Sequence, residues 1–180
     1  MDAPDREDFP EPRIGTQTLL DRMAEKRTDK AWVTDRLADP SSRFLLFSDL
    51  SLAVDSNEDR TSTQLRWLGA GDIEKLGISP SDAYLLGCDA EGRAVFAMSH
   101  DQSQAAGLPG GADSLKPLVD LRSLAMQGAL PPEDLSLAGM GRALSAWHAA
   151  TRCCGRCGGH TRVHDAGWRR SCWSCGQEFY

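Results

Sequence analysis

Four cysteines near the carboxyl end constrain this chain more than any other feature of its sequence. Cys154 and Cys157 form one Cys-x2-Cys pair, and Cys172 and Cys175 form a second pair after fourteen intervening residues. A Cys-x2-Cys turn directs two thiolates at one point, and two such turns supply the four sulfurs that tetrahedral zinc prefers. The spacing therefore predicts a zinc ribbon with a structural site, in which the protein fills every coordination position.

The shortness of this segment supports the same prediction. Residues 153–180 are too few to bury an apolar core that would fold alone. Bound zinc contributes on the order of 10–16 kcal/mol in small metal-binding modules, which is enough to fold such a segment. A redox-active dithiol is an alternative use of these cysteines, and His160 or His164 is an alternative ligand. We expect Cys153 to have a packing role and the isolated Cys88 to be a small buried hydrophobe.

Charge is distributed unevenly along the 180 residues. The whole chain has a net charge of −6, yet residues 152–180 contain five arginines against only Asp165 and Glu178. The acidic remainder argues against nucleic-acid binding by the chain as a whole. Four thiolates and one Zn²⁺ carry a net charge of about −2, which offsets most of the positive charge of the ribbon.

Apolar residues occur only in short runs, such as residues 44–47. No run is long enough to span a bilayer. The amino terminus also lacks a basic region followed by an apolar one, which a secretory signal requires. These features predict a cytoplasmic protein that does not associate with membranes.

The alternation of apolar and polar residues divides the chain into four parts. We predict a disordered acidic arm at 1–18, a domain of strands and helices at 19–130, a linking helix at 131–152 and the zinc ribbon at 153–180. The predicted fold class is α+β, with a mixed β-sheet, flanking helices and a small zinc ribbon.

Short apolar runs predict the elements of the domain. Strands are predicted at 43–47, 50–54 and 63–68, with a hairpin formed by 83–88 and 93–99. Helices are predicted at 28–39 (capped by Thr28), 72–76 and 118–127, and a Gly/Ser/Gln-rich loop at 101–114. The clearest helix begins at Pro132 and ends near residue 151. Its apolar stripe predicts core packing rather than a ligand site, and consists of Leu137, Met140, Leu144 and Trp147.

The sequence fits none of the catalytic templates that we considered. It contains no G-x-x-x-x-G-K-[ST] phosphate-binding loop and no nucleophile elbow. We find no convincing pair of carboxylates in the domain for general acid and base work. No residue is therefore predicted to be catalytic.

The residues around the cysteines form a distinctive set. Trp147-His148 precedes the first pair, Gly167-Trp168 stands between the pairs, and Phe179-Tyr180 follows the second pair. These residues resemble the zinc-ribbon region of NADH pyrophosphatases of the Nudix superfamily, which often have an aromatic where Cys153 stands. Four upstream segments also resemble the N-terminal domain of that family, in its usual order: residues 20–22, 65–68, 84–87 and 119–122.

The resemblance implies a degenerate Nudix-like domain followed by the ribbon. It also implies a parent enzyme that hydrolyses NADH or NAD to nicotinamide mononucleotide and AMP, or acts on NAD-capped RNA. Members of that family are typically homodimers that assemble through the N-terminal domain.

Catalysis in the family depends on a G-x5-E-x7-R-E-U-x-E-E-x-G-U motif, whose glutamates hold Mg²⁺ or Mn²⁺. This sequence contains no Glu-Glu pair, and its single Arg-Glu pair is Arg6-Glu7. The chain ends at Tyr180, where the catalytic domain of the family would begin. We therefore expect a non-catalytic front portion of a longer enzyme, with a structural and assembly role.

Two other functions are compatible with the same residues. A nucleic-acid-binding ribbon would grip RNA with its arginines and tryptophans, namely Arg156, Arg162, Arg169, Arg170, Trp168 and Trp173. Against this, the tryptophans can form the small core of the ribbon and the arginines its solvated face. A stand-alone dimerising scaffold is the second alternative.

Overall fold

The structure is a computed structural model that describes residues 20–57, 62–79, 82–100 and 116–180. The predicted acidic arm and the predicted loop at 101–114 lie outside these residues. The described part consists of a mixed sheet with helices on both faces, followed by a small three-stranded sheet. The predicted α+β class is therefore confirmed.

Six strands of the described residues form the larger sheet, in the order β3-β2-β1-β5-β4 with β6 paired to β2. Their bounds are β1 (Arg43–Ser48), β2 (Ser51–Ser56), β3 (Thr63–Leu65), β4 (Tyr84–Cys88), β5 (Ala94–His100) and β6 (Leu118–Asp120). β1 and β5 run parallel at the centre, and the other pairs are antiparallel. Because both faces of the sheet are covered, β1 and β5 are buried almost throughout instead of alternating.

Four α-helices flank this sheet in the described residues: α1 (Lys30–Ala38), α2 (Ala70–Lys75), α3 (Leu121–Met126) and α4 (Pro132–Ala150). The cap predicted for α1 was wrong by one residue, because the Asp29 side chain, not Thr28, accepts the amide hydrogen of Trp32 at 3.1 Å. Aspartate is a better acceptor than threonine at this position.

The prediction of a single helix over 118–127 was also wrong. Residues 118–120 form β6, which pairs with β2 through Leu52 and Val119. The carboxylate of Asp120 then caps α3 by accepting the amide hydrogen of Ser123 at 3.0 Å. The capping residue thus ends the strand and begins the helix.

Two apolar clusters fill the space on either side of the sheet. Phe44 and Phe96 belong to one cluster and stack with ring centroids 5.2 Å apart. Phe47 belongs to the other cluster, against which α4 packs. A Cβ at Gly141 of α4 would lie 2.8 Å from the Phe47 ring, so glycine lets the helix approach the sheet closely.

The apolar stripe of α4 packs as predicted. Leu144 is buried, and Leu137, Met140 and Trp147 are partly buried against the same cluster as Phe47. None of the helices in the described ranges combines the length and the apolarity needed to cross a membrane.

The carboxyl-terminal segment forms the smaller sheet from β7 (Thr161–His164), β8 (Arg169–Cys172) and β9 (Glu178–Phe179). The strands pair in the order β7-β8-β9. A short 3-10 turn, Asp165–Gly167, joins β7 to β8. β8 runs directly into the second cysteine pair.

Candidate metal centre

The four cysteine sulfurs converge at one end of the smaller sheet. The Sγ atoms of Cys154, Cys157, Cys172 and Cys175 all lie within 4.8 Å of one another. Cys154 and Cys175 are 3.7 Å apart, and Cys157 and Cys172 are 3.4 Å apart. Sulfurs bound tetrahedrally at about 2.3 Å from zinc would be roughly 3.8 Å apart. The arrangement can therefore hold a metal ion such as zinc.

The two cysteine turns have the same local geometry. The amide of Arg156 donates to Cys154 Sγ at 3.4 Å, and the amide of Ser174, at the equivalent position, donates to Cys172 Sγ at 3.4 Å. Gly158 and Gly176 close the turns with φ of 74° and 72°. Glycine adopts this left-handed conformation without steric cost. The sequence thus builds two matching sulfur-directing turns.

Backbone amides favour the charged form of one thiol in particular. Hydrogen bonds from the amides of Cys175 and Ser174 lower the pKa of Cys172 to about 6. At Cys157 the Gly159 amide acts in the same direction, but hydrogen bonds with the other cysteines, Cys172 foremost, outweigh it and raise the pKa to about 12. Because a metal binds the thiolate form, cation binding would displace the proton of Cys157.

The other candidate ligands lie outside this cluster. Cys153 is exposed, so the packing role predicted for it was wrong. It forms an isolated backbone bridge with the exposed His160. His164 Nε2 lies 2.8 Å from the Ser171 hydroxyl. Cys88 is buried in the sheet core as predicted, and burial raises the pKa of its thiol.

A buried histidine connects α4 to the ribbon, and reasoning from composition and spacing had not assigned it a role. His148 Nε2 lies 2.8 Å from the Gly167 carbonyl oxygen, and Nδ1 lies 2.7 Å from Arg170 Nη1. The carbonyl can only accept and the guanidinium can only donate, so the ring is neutral with its proton on Nε2. The ring also stacks on Tyr84 with centroids 3.9 Å apart. The histidine thereby fixes the ribbon to both the helix and the sheet.

The turn that joins β7 to β8 makes the second connection to the domain. Trp168 Nε1 donates to the Leu85 carbonyl at 2.6 Å, and the guanidiniums of Arg22 and Arg27 lie over the indole ring. Gly167 has a φ of 97°, and a Cβ there would lie only 2.7 Å from the Tyr84 Cβ. Side chains from the ribbon and the domain therefore interlock.

These contacts change the interpretation of the ribbon tryptophans and arginines. Trp168 packs on the domain and Trp173 is 73% exposed, so a core built from the tryptophans was wrong. Arg169 pairs with Asp165 and Glu178, and Arg170 is buried, so these two do not belong to a solvated face.

We expect the joint at His148 to weaken in acid. Burial, opposed by the Gly167 hydrogen bond and reinforced by Arg170, lowers the pKa of His148 from 6.5 to about 4. Between pH 4 and pH 6.5 the unfolded chain binds more protons at His148 than the folded chain does. The stabilising contribution of the neutral ring is therefore fully present above pH 6.5 and is lost as the pH falls towards 4. Protonation of His148 alone should lower the free energy of unfolding by about 3 kcal/mol across this pH range.

The matched variant is His148→Phe, which keeps an aromatic ring over Tyr84 but does not titrate. Denaturant unfolding of the two proteins at several pH values measures the difference. The free energy of unfolding should fall less steeply with decreasing pH in the variant. Parallel curves for the two proteins would contradict the assignment.

Comparison with known proteins agrees with this architecture. The family profile described as an NADH pyrophosphatase-like rudimentary Nudix domain matches residues 41–147. The chain belongs to this Nudix family. The match covers the strands from β1 to β6 and most of α4, and it ends one residue before His148. The fold implied by the resemblance is therefore confirmed for the domain.

Curated relatives are similar to this chain over most of its length. The chain is 26% identical to the NAD-capped RNA hydrolase NUDT12 of Macaca fascicularis over 183 aligned residues, and equally to that of Homo sapiens. Each alignment covers 87% of this chain and 39% of the relative. This chain therefore spans well under half the length of these relatives.

Proposed function

We propose that this chain is the zinc-binding and assembly portion of an NAD(H) pyrophosphatase of the Nudix superfamily. The observation that carries the proposal is the family match over residues 41–147. The parent enzyme would hydrolyse NADH or NAD to nicotinamide mononucleotide and AMP. Similarity to relatives named as NAD-capped RNA hydrolases supports NAD-capped RNA as a further proposed substrate of the parent.

The chain itself is proposed to be non-catalytic. It has no Glu-Glu pair with which to build the carboxylate site of a Nudix enzyme. Among the residues that the structure describes, the four ribbon cysteines are the one group of three or more ligand-type side chains close enough to share an ion. Mg²⁺ or Mn²⁺ would therefore act in a catalytic domain that is not part of these 180 residues.

The four-cysteine site is proposed to hold Zn²⁺ in a structural role. Zinc would be bound by Cys154, Cys157, Cys172 and Cys175, and four thiolates leave no coordination position for water. The ion would fix the two cysteine turns relative to β8, which His148 and Trp168 attach to the domain. The ribbon would then be a rigid connection that sets the orientation of a following catalytic domain.

Two finer points accompany this proposal. We infer a homodimer assembled through the domain, which light scattering would detect as a mass of about twice the 19.6 kDa of the chain. We also infer a cytoplasmic location. The alternative of a nucleic-acid-binding ribbon is weakened, because Arg169 and Arg170 are engaged within the protein.

An activity assay tests the non-catalytic role. The zinc-loaded chain is incubated with NADH and Mg²⁺, and AMP release is followed by chromatography. We expect no AMP above the level of a sample without protein, since the described residues form no carboxylate cluster that could hold the catalytic ions. Turnover that co-purifies with the chain would contradict the proposal. A Nudix motif encoded downstream in the same reading frame would support it, and an unrelated downstream sequence would count against it.

A further inference from the structure

A cleft of about 580 Å³ lies between the domain and the ribbon, separate from the cysteine site. The turn between β1 and β2 forms one wall with Asp49. The end of β5 contributes His100, and the last turns of α4 contribute Ser145 and His148. Arg170 lines it from the ribbon. A volume in this range suits a small organic ligand.

Two buried polar atoms at this cleft lack hydrogen-bond partners in the described ranges. They are His100 Nε2 and Ser145 Oγ, on side chains that are 8% and 1% exposed. Buried polar groups in native proteins are nearly always paired, because an unpaired one loses its bonds to water. Each of these atoms can donate to a ligand oxygen.

Two guanidinium groups at the cleft have no acidic partner in the part of the chain that the structure describes. Arg170 is 8% exposed, and its bonds go to the neutral side chain of His148 and to oxygens of Thr161. Arg152 is exposed and forms no ion pair there. Both guanidiniums line the same cleft, where their like charges repel each other. An oxyanion bound in the cleft would relieve the repulsion and supply an anionic hydrogen-bond partner for the guanidiniums.

The carboxylates at the cleft restrict the ligand further. Asp49 and Asp82 line it and are exposed. Their negative charges would repel a ligand with anionic groups on every side, but their oxygens can accept hydrogen bonds from the hydroxyl groups of a ligand.

We propose that this cleft binds a hydroxyl-bearing phosphate monoester of the sugar-phosphate class. The phosphate lies towards Arg152 and Arg170 and accepts from His100 and Ser145, and the sugar hydroxyls donate to Asp49 and Asp82. This site does not depend on pyrophosphate hydrolysis by the parent enzyme.

Ribose 5-phosphate is the probe, used with the full zinc-loaded chain in calorimetric titration. We expect a dissociation constant below about 1 mM. Ribose lacks the phosphate, and gluconate is a polyhydroxy compound whose anionic group is a carboxylate. Each should bind at least about tenfold more weakly than ribose 5-phosphate. Absence of ribose 5-phosphate binding, or equal binding of ribose, would overturn the proposal. Equal binding of gluconate would overturn the phosphate assignment.

Two variants locate the site. Arg152→Gln should weaken the binding of ribose 5-phosphate about tenfold. Arg142→Gln removes the same charge from an exposed position on α4 that does not line the cleft, and should leave affinity unchanged. Ser145→Ala should weaken binding without lowering the melting temperature, because the hydroxyl has no partner to lose among the described residues. Equal losses in the Arg152 and Arg142 variants would show a nonspecific charge effect and reject the site.

Discussion

Replacing Cys172 by serine is expected to abolish metal binding at the proposed four-cysteine site and unfold the ribbon. A serine hydroxyl is a poor substitute for a thiolate that lies 3.4 Å from the sulfur of Cys157. Most of the metal-binding energy would be lost, which is on the order of 10 kcal/mol for small zinc modules. Hydrogen exchange in residues 153–180 should become fast, whereas β1 and β5 should stay protected because their core does not involve the metal.

Cys153→Ser is the matched control, since it changes the adjacent exposed thiol in the same way. The control should keep one metal ion per chain and normal exchange. If the Cys172 variant kept its metal and its protection, the ribbon would not depend on the four-sulfur site. If the control lost its metal, Cys153 would be a ligand.

Gly167→Ala is expected to detach the ribbon from the domain without removing the metal. A Cβ at this position would lie 2.7 Å from the Tyr84 Cβ, and the residue has a φ of 97° that side chains rarely adopt. Backbone strain and overpacking together should cost about 3 kcal/mol. The hydrogen bond from His148 to the Gly167 carbonyl would also be distorted.

The control for this variant is Gly92→Ala, where φ is 77° but a Cβ would meet nothing within 4 Å. It should lose only the strain energy, about 1 kcal/mol. Metal content and denaturant unfolding measure the two effects separately. A Gly167 variant as stable as the Gly92 variant would mean that the ribbon is not interlocked with Tyr84.

The sequence predicted the parts of this structure that depend on local patterns. The hairpin of β4 and β5 follows from two apolar runs around a polar turn, and Asp89 receives the amide hydrogens of Glu91 and Arg93 as such turns require. The cysteine turns are equally local, because a Cys-x2-Cys spacing and a following glycine nearly determine their geometry.

Features that depend on distant residues were missed or misjudged. β6 was predicted as part of a helix. Leu118 and Val119 form a strand because they pair with β2, more than sixty residues earlier in the chain, and local sequence does not reveal that pairing. The two roles considered for Trp168 were RNA contact and a ribbon core, yet its indole donates to the Leu85 carbonyl, 83 positions away. The role of His148 likewise depends on contacts with Tyr84, Gly167 and Arg170. These residues are distant from it in the sequence, so residue spacing does not predict the contacts.

X-ray absorption at the zinc edge tests the central claim most directly. The measurement is made on the full chain purified under reducing conditions without added chelator. The proposal predicts one zinc per chain surrounded by four sulfurs at about 2.3 Å, with no nitrogen or oxygen in the coordination shell. A chain that binds no zinc under these conditions, or a site with a histidine nitrogen in place of one of the four sulfurs, would contradict it.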